Sequence, residues 1–195
     1  MLQIENLTFS YDARPVFDQF SRQLPDHCLC TANNGTGKTT LLKLISGILP
    51  RETGTIRVND KTSYTSAILL NDRFLFDEFT IQSHLSWISE DQHLPHSELD
   101  EIIQMFAIRS WLNRMPGELS SGERQWLAIA LTLCHKTDIY LLDEPMRHLD
   151  PDHKNKLAGI LKKHIQHHNS VLITAHPGSE PDYQDIFSVC RLFDS

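Results

Sequence analysis

The chain has 195 residues, of which 40% are hydrophobic and 22% charged, enough to bury one globular core. Its formal net charge of −7 argues against a general nucleic-acid binder, which would normally be basic. No apolar run approaches the roughly 20 residues of a membrane span, and Met1-Leu2-Gln3-Ile4-Glu5-Asn6 lacks a signal-peptide pattern.

Leu2 and Ile4 alternate, then Leu7 and Phe9 do so shifted by one, as in a strand with a bulge or turn. Tyr11, a turn at Asp12-Ala13-Arg14-Pro15 and a second strand over Val16–Phe20 complete an expected antiparallel pair. The short apolar strand His27-Cys28-Leu29-Cys30 puts both cysteines on one face. With Cys134 and Cys190 they show no metal-type repeat and read as small buried residues of a reducing compartment.

That strand feeds Thr31-Ala32-Asn33-Asn34-Gly35-Thr36-Gly37-Lys38-Thr39-Thr40, and a leucine-rich helix over Leu41–Leu49 follows. Backbone N–H groups of such a loop, with those free at the helix start, form a nest for phosphate oxygens. Lys38 is placed to reach the β- and γ-phosphates and the Thr39 hydroxyl to ligate Mg²⁺. The spacing matches the phosphate-loop pattern except that Ala32 stands at its first glycine.

Pro50–Gly54 is a turn, Thr55–Asn59 an edge strand, and Thr65–Leu70 a further strand. From Thr80 to Trp111 the apolar spacing turns helical, with Pro95 as a break and Ser97 as the expected start of the second helix. Ser121–His135 is a helix, and Ile139-Tyr140-Leu141-Leu142 is a buried strand ending in Asp143-Glu144-Pro145. Pro151 opens another helix with Asp150 as its N-cap. Val171–Thr174 is a second buried strand that ends at Ala175-His176-Pro177. His164, His167 and His168 lie at i, i+3 and i+4 near the end of that helix; two histidines four apart can bind a transition metal, but cations near a helix C-terminus are favourable in themselves and no third ligand to such a pair is evident.

Five stretches in one order resemble the nucleotide-binding domain of ATP-binding cassette (ABC) transporters. They are the phosphate loop, Leu119-Ser120-Ser121-Gly122-Glu123, Leu141-Leu142-Asp143-Glu144-Pro145, His148-Leu149-Asp150 and Thr174-Ala175-His176. The resemblance implies an α/β fold: a mostly parallel, RecA-like sheet with helices on both faces, an N-terminal antiparallel β subdomain and an inserted helical subdomain. Residues 1–71 and 117–195 would form the nucleotide-binding core and residues 72–116 the helical subdomain.

Asp143, ending a buried strand, can hold the hydration shell of Mg²⁺ opposite Thr39, while Glu144 can polarise a water for in-line attack on the γ-phosphate. By resemblance, His176 contacts the γ-phosphate and Tyr11 stacks on adenine. Asn33, Asn34, Gly35, Thr36, Gly37, Lys38, Thr39 and Thr40 surround the phosphates. Ser120, Ser121, Gly122 and Glu123 resemble a signature motif, Leu-Ser-Gly-Gly-Gln, that acts on the ATP of a second subunit, and Asp150 belongs to a loop crossing that interface. Glu123 puts a carboxylate near a phosphate site and is expected to face away from it. Asn71 falls where the family has a glutamine that touches Mg²⁺ and the attacking water, with one CH₂ less reach.

The resemblance implies an ATPase with Mg²⁺ and ATP, paired as a dimer beneath a separate integral-membrane transporter subunit on the cytoplasmic face of the membrane, with no nucleic-acid partner. The short length is similar to that of haem-export and cytochrome c maturation ATPases. The guanine-reading motif of small GTPases is missing, since Asn155-Lys156-Leu157-Ala158 lacks its aspartate. Relatives acting on DNA carry long coiled coils and those acting on ribosomes carry two cassettes, and neither pattern is present. A hydrolysis-poor regulatory half of an asymmetric pair is the standing alternative, motivated by Ala32, Asn71, Ser121 and Glu123.

Overall fold

The computed structural model describes residues 1–70, 74–165, 170–179, 183 and 186–191. Leu2, Ile4, Leu7 and Phe9 are all buried from β1 (Leu2–Tyr11), although their spacing changes parity midway. The change is absorbed at Asn6, whose φ is 50°, where pairing with β2 (Arg14–Leu24) also slips, which makes this a bulge. The connecting turn is tighter than the four residues expected. Asp12 and Ala13 both take positive φ, 43° and 63°, and Tyr11 already pairs with Arg14. This mirror-image turn matches the twist of the flanking strands.

β3 (His27–Thr31) leads through the phosphate loop into α1 (Lys38–Ile45). β4 (Thr53–Val58) then returns to β1 as an edge strand, giving an antiparallel sheet of order β2-β1-β4. β5 (Ser66–Leu69) precedes the helices α2 (Ile81–Asp91), α3 (His96–Met105) and α4 (Ser121–Leu133). α3 starts one residue before the expected Ser97, with Pro95 at its cap position and no side-chain cap. β6 (Ile139–Asp143), α5 (Pro151–Ile165), β7 (Ser170–Ala175) and β8 (Ser188–Arg191) follow.

The second sheet is parallel, in the order β5-β6-β7-β3-β8. β8 has no forerunner in the sequence reading: it is four residues long, lies at an edge and leaves Val189 exposed. The sheet's inner strands are continuous apolar runs, as burial on both faces requires. Cys28 and Cys30 do share a face of β3, with their sulfurs 3.7 Å apart, and both are buried. Their mutual hydrogen bond and burial push the Cys28 thiol above its ordinary range, so it is a packing group and not a nucleophile.

The described residues group into two compact units. One spans Met1–Leu70, Thr137–Glu144 and Leu161–Ser195, and the other Asn71–Lys136 and Pro145–Ile160. Within the second, Trp126 is buried and its indole N–H donates to the Phe106 carbonyl at 2.9 Å. His84 is also buried. Its Nδ1 lies 2.8 Å from the Thr80 carbonyl and its Nε2 accepts the Phe76 N–H at 3.0 Å, which fixes the neutral, Nδ1-protonated tautomer. Among the described residues no helix is long and apolar enough to cross a membrane.

Candidate functional site

In the parallel sheet β3 and β6 flank β7, so their C-terminal ends lie side by side. Open α/β sheets bind ligands outside such strand ends. β3 delivers the phosphate loop there. Gly37 takes a φ of 98° just before α1, and a Cβ on it would lie 2.8 Å from Val16 Cγ1 and 3.2 Å from Phe17 Cζ. Gly35 takes 78° with open space around it. The Thr36 hydroxyl donates to the Asn33 carbonyl at 2.8 Å, and the Ala32 N–H to the Ala175 carbonyl at 3.4 Å. Ala32 itself packs partly buried against the core, so its extra methyl finds a place.

Lys38 is buried, and its ammonium donates to the Ala32 carbonyl at 2.6 Å and the Asn33 carbonyl at 3.1 Å. It also lies 3.9 Å from Glu144 Oε1. The Thr39 hydroxyl donates to Asp143 Oδ2 at 2.5 Å, and the Thr174 hydroxyl donates to Asp143 Oδ1. Glu144 turns away from Asp143 because its φ is 48°, a left-handed conformation held by its N–H donating to the Thr174 carbonyl at 3.0 Å. His176 Nε2 lies 2.9 Å from Glu144 Oε1. Lys38, Thr39, Asp143, Glu144 and His176, spread over almost 140 positions of the sequence, therefore converge.

The Thr39 hydroxyl and the Asp143 carboxylate are neighbouring hard oxygen donors, the set that suits Mg²⁺. Glu144, in contact with an imidazole and an ammonium, is a carboxylate placed for proton transfer. Thr174 was not among the sequence candidates. Its one signal is a hydroxyl that follows the apolar run Val171-Leu172-Ile173 in a buried strand.

In the other unit, Ser120 caps α4. Its Oγ accepts the Glu123 N–H at 3.3 Å, and Glu123 Oε2 accepts the Ser120 N–H at 2.8 Å, a reciprocal capping box. Glu123 curls back on Ser120, whose backbone N–H holds its carboxyl below the usual range, with Arg114 Nη1 at 4.0 Å. Ser121 is exposed, and a Cβ on Gly122 would come within 3.0 Å of the His148 carbonyl. Asp150 Oδ1 accepts the His153 N–H at 2.9 Å, the N-cap expected, and Oδ2 lies 2.6 Å from His153 Nδ1. That backbone N–H also lowers the Asp150 pKa.

Tyr11 stands exposed at the tip of β1 with its ring edge-on to Phe9 at 4.8 Å. Asn33 and Asn34 are exposed, and Thr40 is half-buried in α1. Asn71 lies outside the described residues, as do His167 and His168. Among the described residues no group of three or more His, Cys, Asp or Glu side chains is placed to hold a metal.

The fold and this strand-loop-helix define the class: a phosphate-loop nucleoside triphosphatase. The sequence model of one family within it, the ABC transporter family, matches residues 31–147. The chain is 32% identical over 175 residues to the thiamine import ATP-binding protein ThiQ of Yersinia pestis, covering 83% of this chain and 73% of that protein. It is 28% identical over 201 residues to the energy-coupling factor transporter ATP-binding protein EcfA1 of Fusobacterium nucleatum subsp. nucleatum, covering 90% of this chain and 76% of that one. A solved ATP-binding subunit of an ABC transporter superposes with a TM-score of 0.83 over 98% of this chain and 86% of its own, at 21% identity. The chain belongs to the ABC transporter family as an ATP-binding subunit, an ATPase that powers a separate membrane component.

Proposed function

We propose that the chain hydrolyses Mg²⁺-ATP at the ends of β3, β6 and β7, and that two copies close on two nucleotides to drive a membrane-embedded transporter. The observation that carries this reading is the contact of Glu144 with both Lys38 and His176 beside the Thr39–Asp143 pair. The loop amides of residues 33–40 receive the phosphates, and Lys38 exchanges the Ala32 and Asn33 carbonyls for phosphate oxygens. Thr39 and Asp143 would hold Mg²⁺, which would supply charge neutralisation at the phosphates. Glu144 accepts a proton from the attacking water, and His176 orients Glu144 and that water. Tyr11, exposed at its strand tip, stacks on adenine.

The Ser120 hydroxyl and the Gly122 amide of one copy meet the γ-phosphate bound by the other, with Asp150 crossing between copies. The membrane subunit docks on the segment from residue 74 to Pro116. There Phe76, Phe79 and Trp87 are exposed in one aromatic group, the latter two rings 4.7 Å apart. Glu78 borders it and favours a basic cytoplasmic loop of a membrane protein, while Asp77 beside it is already paired with Arg124 at 2.7 Å. The subunit works peripherally on the cytoplasmic face, and the membrane partner selects the cargo.

The test is Glu144→Gln, which keeps the side-chain volume but removes the base. Light scattering with saturating Mg²⁺-ATP should find an ATP-trapped dimer, and a variant that remains monomeric counts against pairing around the nucleotide.

A further inference from the structure

We propose that Thr174 is the positioning residue for Asp143, presenting that carboxylate to the divalent cation of the nucleotide site. The inference rests on the reading of Thr39 and Asp143 as the cation-binding end of that site. The parallel register of β6 and β7 sets Asp143 directly beside Thr174. The Thr174 hydroxyl donates to Oδ1 while the Thr39 hydroxyl donates to Oδ2 at 2.5 Å, so each carboxylate oxygen has its own donor. The same residue holds the next backbone turn, because its carbonyl accepts the Glu144 N–H at 3.0 Å. Two residues on, His176 contacts the Glu144 carboxylate at 2.9 Å. One chain segment thus supplies the partner of each of two consecutive acids.

Packing alone gives no reason for a hydroxyl here. Val171, Leu172 and Ile173 precede Thr174 in β7, all are buried, and Thr174 itself is 1% exposed. Valine has the same branched shape and would fill the position without a polar group that burial obliges to find a partner. The hydroxyl's partner is Asp143. Without it, Oδ1 loses its donor, and the carboxylate is oriented by Thr39 alone, a residue that must itself turn to the cation. Partners one shell out from a metal are typically worth about 10- to 100-fold in metal affinity.

The experiment titrates MgCl₂ into protein with a fluorescent N-methylanthraniloyl ADP and reads nucleotide binding, with no turnover required. Thr174→Val should need about tenfold more Mg²⁺ to reach half of the Mg²⁺-dependent signal. Binding measured in EDTA should stay at the wild-type value, and Thr174→Ser should titrate within about twofold of wild type. A wild-type Mg²⁺ midpoint for Thr174→Val, or an equal shift in Thr174→Ser, overturns the positioning role. Should Thr174→Val fail to fold, Thr174→Ser and Thr174→Ala, which both lose the methyl and differ in the hydroxyl, must separate by the same factor; equal midpoints overturn it. Wild-type protein whose binding ignores Mg²⁺ would instead overturn the cation site itself, and the role of Thr174 with it.

Discussion

Gly37→Ala should weaken nucleotide binding far more than Gly35→Ala, although both glycines lie in the same loop at positive φ. At Gly37 the backbone has φ 98°, which costs an L-residue about 1–3 kcal/mol. The added Cβ would also stand 2.8 Å from Val16 Cγ1 and 3.2 Å from Phe17 Cζ. Phe17 is buried and cannot swing aside, so this overpacking adds about 1–3 kcal/mol. At Gly35, with φ 78° and nothing within 4 Å, the conformational term acts alone. The clash therefore separates the variants by about 1–3 kcal/mol, roughly 5- to 150-fold in dissociation constant. Fluorescence titration with a labelled ATP measures it, with thermal melts alongside to show that the loop and not the whole unit has yielded. Equal affinities for the two variants would refute the claim that Val16 and Phe17 wall the loop.

Ala13→Gly should stabilise the protein by about 0.5–1 kcal/mol in urea unfolding, because Ala13 sits at φ 63° and relief of its strain exceeds the entropy that glycine adds to the unfolded chain; unchanged stability would mean the turn is unstrained. Asp138 accepts the Thr65 N–H at 2.8 Å and lies 3.6 Å from Lys61, and these contacts, the backbone bond first, hold its pKa below the ordinary 3.8. A depressed carboxylate stabilises the fold fully above 3.8 and loses that contribution as pH falls through the lower folded value. Asp138→Asn should therefore melt below wild type at pH 7, with a gap that closes in acid; a gap independent of pH would contradict this.

The residues that converge at the candidate site were legible because they lie in contiguous, fixed-spacing stretches. Asp143-Glu144 sits where a strand ends and Gly37-Lys38-Thr39 where the loop after a strand enters a helix, and both places can be located from apolar runs. Part of what escaped depends on partners distant in sequence. Thr174 matters only because the β6–β7 register sets it against Asp143, and no local pattern encodes register between strands about thirty residues apart. The curl of Glu123 onto Ser120 is a capping box, and its Ser-x-x-Glu spacing is written in the sequence. β8 is a short edge strand whose alternation, with Val189 exposed, gives no signal of burial. The hairpin turn shrank to Asp12-Ala13 because an alanine accepts a left-handed backbone there, against its propensity.

The most direct measurement is phosphate release from purified protein with Mg²⁺-ATP, wild type against Glu144→Gln, over a range of protein concentrations. Wild type should release phosphate at a rate per copy that rises with concentration as copies pair. Glu144→Gln should fall at least about 100-fold below it, the lower end of what a positioned base contributes. Equal rates for the two proteins, at every concentration, would remove Glu144 from the chemistry and contradict the site described above.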